Sequence, residues 1–441
     1  MKQRWIFAST AFLFTLAAWS GAANATNGHL LHGSGAVNDS MGGAGIATSL
    51  DSLGILRNNP AGLEGLPGYH ADISFEMFKP DRTVSSDVSG LFGAPPGTFA
   101  GSTESESPIY AIPAIGISYK PKDSAVSYGL GVLGIGGFGV DYPQDSSNPI
   151  LAPQGFGGFG AVNSYYALLK IAPAVATTIG SKIRVGAALN ADYANLSVSP
   201  FAAAAPGSSG YLNAAQPAAA YGVGFQVGAQ MNVTPQMTLG VAYTSPQWFE
   251  KFKWNVQDPD VATGTARRIR FRLDVPQIIG AGVAFHPNDM VILTVDGKWI
   301  TFGNTKGFNR VGFQADGSVA GFAWKNIFVV SMGTQVKVTP KLALRAGYNY
   351  GQSPIRDGES FWNVPAPAIV RHHVTVGAGY DFSEHFGLNL AYYHGFKNSV
   401  RGPFVSPGPP FSPLPPGPVS GTTVTNEMSQ DSYVAQMSWK F

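Results

Sequence analysis

Hydrophobic and polar residues alternate along most of this chain with a period of two. Tyr69, Ala71, Ile73, Phe75 and Met77 interleave with His70, Asp72, Ser74 and Glu76. Tyr221, Val223, Phe225, Val227, Ala229 and Met231 interleave with Gly222, Gly224, Gln226, Gly228, Gln230 and Asn232. Residues 342–350, 386–392 and the closing stretch SYVAQMSWKF repeat the pattern. Side chains of a strand point alternately to its two faces, so each segment predicts a strand with one apolar face and one small or polar face. After residue 25 no stretch offers about 20 consecutive apolar residues free of charge and proline, so no helical span of a membrane is expected.

Short polar connections punctuate these strands. Lys120-Pro121-Lys122-Asp123, Gly180-Ser181-Lys182, Thr234-Pro235-Gln236, His286-Pro287-Asn288-Asp289, Thr339-Pro340-Lys341 and Ser383-Glu384-His385 each separate two alternating runs. Proline fixes φ for a tight turn, and the polar neighbours suit water. Between them lie longer segments rich in Pro, Gly, Ser and Asp, at 79–107, 136–163, 197–220, 245–266, 303–323, 352–370 and 398–428. Six turns and seven loops join fourteen strands, and an even count returns both ends of the chain to one side. Such strands predict an all-β fold, a transmembrane antiparallel β-barrel of about fourteen strands.

Composition narrows the compartment. The chain is 44% hydrophobic and only 12% charged, against about 25% charged in soluble domains. Low charge without spanning helices suits a barrel whose alternate residues face lipid. Lys2 and Arg4, the apolar run 6–19 and Ala23-Asn24-Ala25 read as a secretory signal over 1–25. A terminal aromatic strand resembles the signal read by the outer-membrane barrel-assembly machinery. The expected location is the bacterial outer membrane, as a monomer among its lipid and lipopolysaccharide. Cysteine is absent, which excludes disulfides, thiolate metal sites and a lipoprotein anchor. A net charge of +2 without a basic, aromatic-interleaved cluster makes no claim on nucleic acid.

Residues 26–68 do not alternate and are rich in Gly, Ala, Ser and Asn, yet Leu30, Leu31, Val37, Met41, Ile46, Leu53, Ile55, Leu56 and Leu63 need burial. A barrel of this size has a lumen too wide for its own side chains to fill, so this segment is expected to fold inside it. Residues 69–441 would form the barrel. Ser40-Met41-Gly42-Gly43-Ala44-Gly45, Asp51-Ser52 and Asn59-Pro60-Ala61-Gly62, with LRAGYNYGQSPI at 344–355 and the aromatic C-terminus, resemble the FadL/TodX family of outer-membrane channels for hydrophobic compounds. That resemblance implies a fourteen-stranded barrel plugged by an N-terminal hatch. Its cargo would be a hydrophobic small molecule, taken up passively: long-chain fatty acids first, with monoaromatic hydrocarbons or alkanes as the alternative. A general porin or adhesin is the competing class. No cofactor is implied.

Several residues carry these expectations. Asn59, Pro60 and Ala61 would set the geometry of the plug, or form a helix-ending turn without substrate contact. The third strand region, 128–139, reads YGLGVLGIGGFG. Glycine inside a strand marks a bend or bulge. The resemblance implies an inward kink there that opens the wall for sideways exit, with Gly129, Gly131, Gly134, Gly136 and Gly137 permitting it. The formal Gly-x-Gly-x-x-Gly matches in this region open no helix of a βαβ unit and are set aside.

Arg268, Arg270 and Arg272 alternate with Ile269, Phe271 and Leu273, and are expected to face the lumen, since Arg on the lipid face at mid-membrane costs about 2–4 kcal/mol. Such a column could hold a carboxylate, as could Lys298 or Arg345, or it could pair with Asp274, Asp51 or Glu64. Phe201, Trp248, Phe249 and Phe252 lie in expected external loops and would capture an apolar ligand, or belong to an aromatic girdle on longer strands. No HExxH or GxSxG motif and no paired carboxylates stand out. The eight scattered histidines, including His372-His373, make no metal site, so neither an enzyme nor a metalloprotein is expected.

Overall fold

The structure, a computed structural model, describes residues 27–107, 109–207, 210–257 and 266–441. The expected secretory signal lies outside them. Fourteen strands form the closed barrel: β1 Gly68–Asp87, β2 Tyr110–Lys120, β3 Val126–Tyr142, β4 Val162–Ile179, β5 Ile183–Ser199, β6 Ala214–Thr234 and β7 Met237–Thr244 make one half. The other half is β8 Ile278–Asn288, β9 Val291–Ile300, β10 Ile327–Lys337, β11 Leu342–Gly351, β12 His372–Asp381, β13 Phe386–Gly402 and β14 Thr423–Lys440. Each strand is antiparallel to its neighbours, and β14 closes on β1 in an unbroken ladder from His70↔Lys440 to Asp87↔Thr423. Among the described residues no helix is long and apolar enough to cross a membrane.

Alternation sorts the two faces as expected. Along β14, Ser432, Val434, Gln436 and Ser438 are buried while Tyr433 and Met437 are exposed; along β1, Ile73, Phe75 and Met77 are exposed while Asp72, Ser74 and Glu76 are buried. The apolar face is outward, towards lipid, and the polar face lines the lumen. All the short turns lie at one end and the long connections at the other. The strands reach further into the long connections than expected: β1 ends at Asp87, β13 at Gly402, and β14 starts at Thr423. There the outward residues are Thr and Ser, as in Thr83 and Ser85, so the ladder continues where apolar alternation stops.

One strand assignment is corrected. Ala266–Phe271 is not part of the barrel; it pairs with Phe252–Gln257 in a separate external hairpin, within the connection between β7 and β8.

Residues 27–67 lie inside the barrel. They contain α1 (Ala36–Ser40), α2 (Ser52–Asn58) and a 3-10 turn Pro60–Gly65. Asp51 caps α2 by accepting from Gly54 N at 3.1 Å, and Asn59 caps the 3-10 turn by accepting from Ala61 N at 3.1 Å. Elements this short cannot satisfy their own backbone, and the wall does it for them. Asp296 Oδ2 accepts from Gly45 N (2.7 Å) and Ile46 N (2.9 Å), and Asp72 Oδ2 from Ser52 N (2.9 Å). Asn59 Nδ2 donates to Ile46 O at 2.8 Å and to the strand carbonyls of Ala229 and Val241 at 3.2 Å each.

These contacts require a wall without side chains at the points of closest approach. A Cβ added at Gly228 would stand 2.0 Å from Asn59 Oδ1; at Gly240, 2.3 Å from Ile46 O; at Gly347, 2.3 Å from Gly42 N. Gly228 faces Gly186 across β5 and β6, Gly240 faces Gly282 across β7 and β8, and Gly333 faces Gly347 across β10 and β11. Together they form a belt of glycine around the plug. Valine has the higher strand propensity, yet Gly228→Val is expected to destabilise the barrel by about 1–3 kcal/mol through overpacking. Urea unfolding of the refolded protein in lipid checks this; unchanged or increased stability would show that the plug does not press on the wall.

Candidate ligand cavities and the hatch

Under the external loops lies an apolar cavity of about 740 Å³, counted with its mouth. The outer ends of β4 and β5 supply Val162, Leu196 and Val198, and the following connection supplies Phe201, Ala202 and Ala203. Phe271 comes from the external hairpin, Val319 and Phe322 from the β9–β10 connection, and Phe361 and Trp362 from the β11–β12 connection. Among the described residues no charged one lines it. The hairpin forms its roof: Trp254 sits 5.1 Å from Phe201 between ring centres and donates its indole N–H to Gln216 O at 2.9 Å. Phe361 and Trp362 meet edge to face at 5.1 Å.

A second cavity, about 790 Å³ counted the same way, lies at the barrel wall. β2 pairs with β3 only from Tyr119↔Tyr128 to Ala114↔Leu133, while β2 stays paired with β1 as far as Tyr110↔Phe78. Above Leu133 the two strands part. A register shift between Gly134 and Gly136 marks a bulge at Ile135 on β3. The hatch fills this bend: Leu31 N donates to Ile135 O (3.1 Å), Gly137 N to His29 O (2.8 Å), and Leu30 bridges Gly136. Lumenal Phe78, Tyr110 and Tyr166 line the cavity together with Ala111 and Tyr165, which face outward, so it penetrates the wall. His29 stacks on Phe308 at 4.9 Å; burial, with Arg57 nearby, lowers its pKa to about 3, so it acts as a neutral ring.

The expected glycines divide into two roles. Gly134 and Gly136 flank the bulge, and at Gly137 a Cβ would meet Tyr166 O at 2.2 Å. Gly129 and Gly131 are not part of the kink; they lie in regular pairing below it, where a Cβ would press on Leu56 of the hatch. Asn59, Pro60 and Ala61 lie in the plug, Asn59 and Ala61 fully buried against the wall.

The expected lumenal placement is corrected for Arg268 and Arg270. Arg268 and Arg270 lie exposed on the outer face of the external hairpin, because Trp254 and Ile269 take its inner face. Arg272 pairs with Asp274 at 3.0 Å. Lys298 is lumenal but donates to Gly43 O (2.9 Å) and Asn58 Oδ1 (2.8 Å), and Arg345 donates to Gln335 Oε1 (2.7 Å) and Asn389 Oδ1 (3.0 Å). None of the five lines the external cavity. Of the expected capture residues, Phe201 lines it. Phe249 and Phe252 are buried, Phe252 as the first residue of the hairpin and Phe249 seated where Gly222 has no side chain. Trp248 pairs beside Val223 and is exposed with it on the outer surface.

Two cations went unnoticed in the sequence. Arg57 of α2 donates to Leu31 O at 2.6 Å and, with Lys298, lines a smaller cavity of mixed polar and apolar character between hatch and wall. Arg82 of β1 is buried, lines the wall cavity, and has an Nη1 without a hydrogen-bond partner. Its signal was parity: residue 82 continues the lumenal series of Asp72, Ser74 and Glu76. Among the described residues no group of His, Asp and Glu is arranged to hold a metal.

A model of outer-membrane transport proteins, described as OMPP1/FadL/TodX, matches residues 15–402. The chain belongs to this family. It is therefore a bacterial outer-membrane β-barrel of a transport family. The FadL/TodX chain also superposes on solved structures at a level that supports the fold. The P. putida toluene transporter TodX is 19% identical over 93% of this chain and 99% of that one, with a TM-score of 0.67. A Pseudomonas aeruginosa FadL homologue is 16% identical over 94% and 100%, with a TM-score of 0.70. The Ralstonia pickettii toluene transporter TbuX is 18% identical over 93% and 99%, with a TM-score of 0.62. No match was found among curated protein sequences.

A carboxylate placed in the external cavity would have to be desolvated by every ligand that enters. Ala203→Asp, at a partly exposed lining position, is expected to weaken binding of the fluorescent probe N-phenylnaphthylamine about tenfold or more. Fluorescence titration in detergent checks this, and unchanged affinity would mean that the probe binds elsewhere.

Proposed function

We propose that this FadL/TodX protein admits neutral hydrophobic molecules, aromatic hydrocarbons first, across the outer membrane by passive diffusion. The observation that carries the reading is the external cavity, lined among the described residues by aromatic and aliphatic groups without a charge. Transfer of an apolar ligand from water into such a site gains about 25 cal/mol per Å² buried, which is enough to collect it without an energy source. The toluene transporters TodX and TbuX among its structural neighbours agree with an aromatic ligand. From the external cavity the ligand passes to the wall cavity and leaves sideways between β2 and β3, while the hatch stays in place. Sideways exit suits a molecule whose next favourable environment is lipid rather than water.

Long-chain fatty acids form the second reading, favoured by one observation: Arg82 lines the wall cavity with an unpartnered Nη1 that suits a carboxylate. In either reading residues 1–25 serve as the secretory signal, and the aromatic C-terminal strand engages the assembly machinery. The monomer then sits among outer-membrane lipid and lipopolysaccharide.

The hatch can be pinned to test the route. Ser52 Oγ and Ser118 Oγ lie 3.0 Å apart, between α2 and β2, and the chain has no cysteine. Ser52→Cys with Ser118→Cys therefore allows one disulfide, whose S–S bond is about 2 Å. Cells carrying the protein should take up radiolabelled toluene faster than cells without it, and the oxidised double variant should keep that advantage. Equal uptake with and without the protein would overturn the function. Uptake abolished by oxidation and restored by reductant would overturn the sideways route.

A further inference from the structure

The external cavity and the wall cavity meet at one side chain. Phe138 lines both, and no other described residue does. The cavities are otherwise built from different elements: Phe201, Phe322 and Trp362 on the outer side, Tyr110, Ile112 and Met428 on the wall side.

The bulge explains why Phe138 stands there. Below it the buried side chains of β3 fall at odd positions, Ser127 and Leu133 with Gly131 between them; above it they fall at even positions, Phe138, Val140 and Tyr142, with Gly139 also buried. The extra residue at Ile135 shifts the parity of the strand, and an unbulged β3 would turn Phe138 towards lipid. On one side Phe138 faces Tyr166 of β4 in register, with ring centres 5.0 Å apart. On the other side β2 has already separated, since its pairing with β3 stops at Leu133. Along its own strand the ring is flanked by Gly136, Gly137 and Gly139. Phe322 touches it from the external connection at 5.9 Å. The ring is thus packed towards β4 and the external cavity, while its other side borders the wall cavity, where Tyr110 and Ile112 of β2 reach across the gap to Gly139 and Gly134.

We infer that Phe138 is the swinging partition between the two cavities, and that the size of this side chain sets the bulk of the hydrophobic molecule admitted to the wall opening. The inference rests on the proposed reading of sideways passage. It adds a specificity-determining residue that acts by steric exclusion. Rotation of the ring into the gap joins the cavities without displacing the hatch backbone at His29 and Leu31. The ligand that crosses is recognised by its cross-section and lack of charge.

Two measurements test this, and only one depends on transport. Crystals of the native protein and of Phe138→Ala, pressurised with xenon, report cavity continuity whatever the natural ligand. Separate xenon sites are expected in the native cavities, with a further site at the vacated ring position joining them in the variant. Collapse of Tyr166 or Phe322 into that position, leaving the sites separate, would overturn the inference. In cells, uptake of radiolabelled phenanthrene relative to toluene is expected to rise about tenfold in Phe138→Ala and to fall about tenfold in Phe138→Trp. An unchanged ratio in both folded variants would also overturn it. If neither probe enters faster than in cells lacking the protein, the functional reading fails, and the xenon result still decides whether Phe138 separates the cavities. Heat-modifiable migration on gels establishes folding, and Phe138→Leu replaces the alanine variant in both arms should that variant not fold.

Discussion

The approach of the hatch backbone to a wall stripped of side chains is the contact on which the rest of the barrel depends. A lumen of this width cannot be closed by its own side chains, and a plug of short helices cannot satisfy its own amides. Glycines at 228, 240 and 347 remove the steric obstacle, and Asp296, Lys298, Asp72 and Asn59 supply the missing hydrogen bonds. Burying these polar groups is favourable only while their hydrogen bonds are made, so withdrawing the whole plug would strip Asp296 and Lys298 of their hatch hydrogen-bond partners. That cost argues for a hatch that remains seated while ligand passes beside it.

The same division of labour shapes the path. Where hatch meets wall over β7 to β9, the lumen is polar and committed to protein partners. Where the hatch N-terminus meets β3, the backbone contact is reduced to two hydrogen bonds, and the surroundings are largely aromatic. An apolar molecule therefore finds its more apolar surroundings on the β3 side of the plug. The bulge at Ile135 both opens the wall there and turns Phe138 into the opening.

Much of the fold was legible in the alternation. A period of two with a consistent apolar face, broken by Pro-containing turns such as Thr234-Pro235-Gln236, is enough to count fourteen strands. The need to bury Leu53, Leu56 and Leu63 without alternation is enough to place a plug. The site was harder to read. An external hairpin and a lumen-facing strand share the same period, so Arg268 and Arg270 read as lumenal when their apolar partners in fact roof a cavity outside the barrel. Glycine identity alone did not separate Gly129 and Gly131, which admit Leu56, from Gly134 and Gly136, which flank the bulge. Phe138 could not be assigned to the lumen at all, because a single inserted residue reverses its face and no local pattern marks which residue is extra.

The claim that an uncharged ligand enters under the external loops and leaves through the wall is tested most directly by locating such a ligand. Crystals soaked in p-dibromobenzene reveal its bromine positions by anomalous scattering. The account expects bromine in the cavity of Phe201, Phe322 and Trp362 and in the wall cavity beside Tyr110 and Tyr166. Bromine between the hatch and β10 to β13, towards the short-turn end, with both apolar cavities empty, would contradict it.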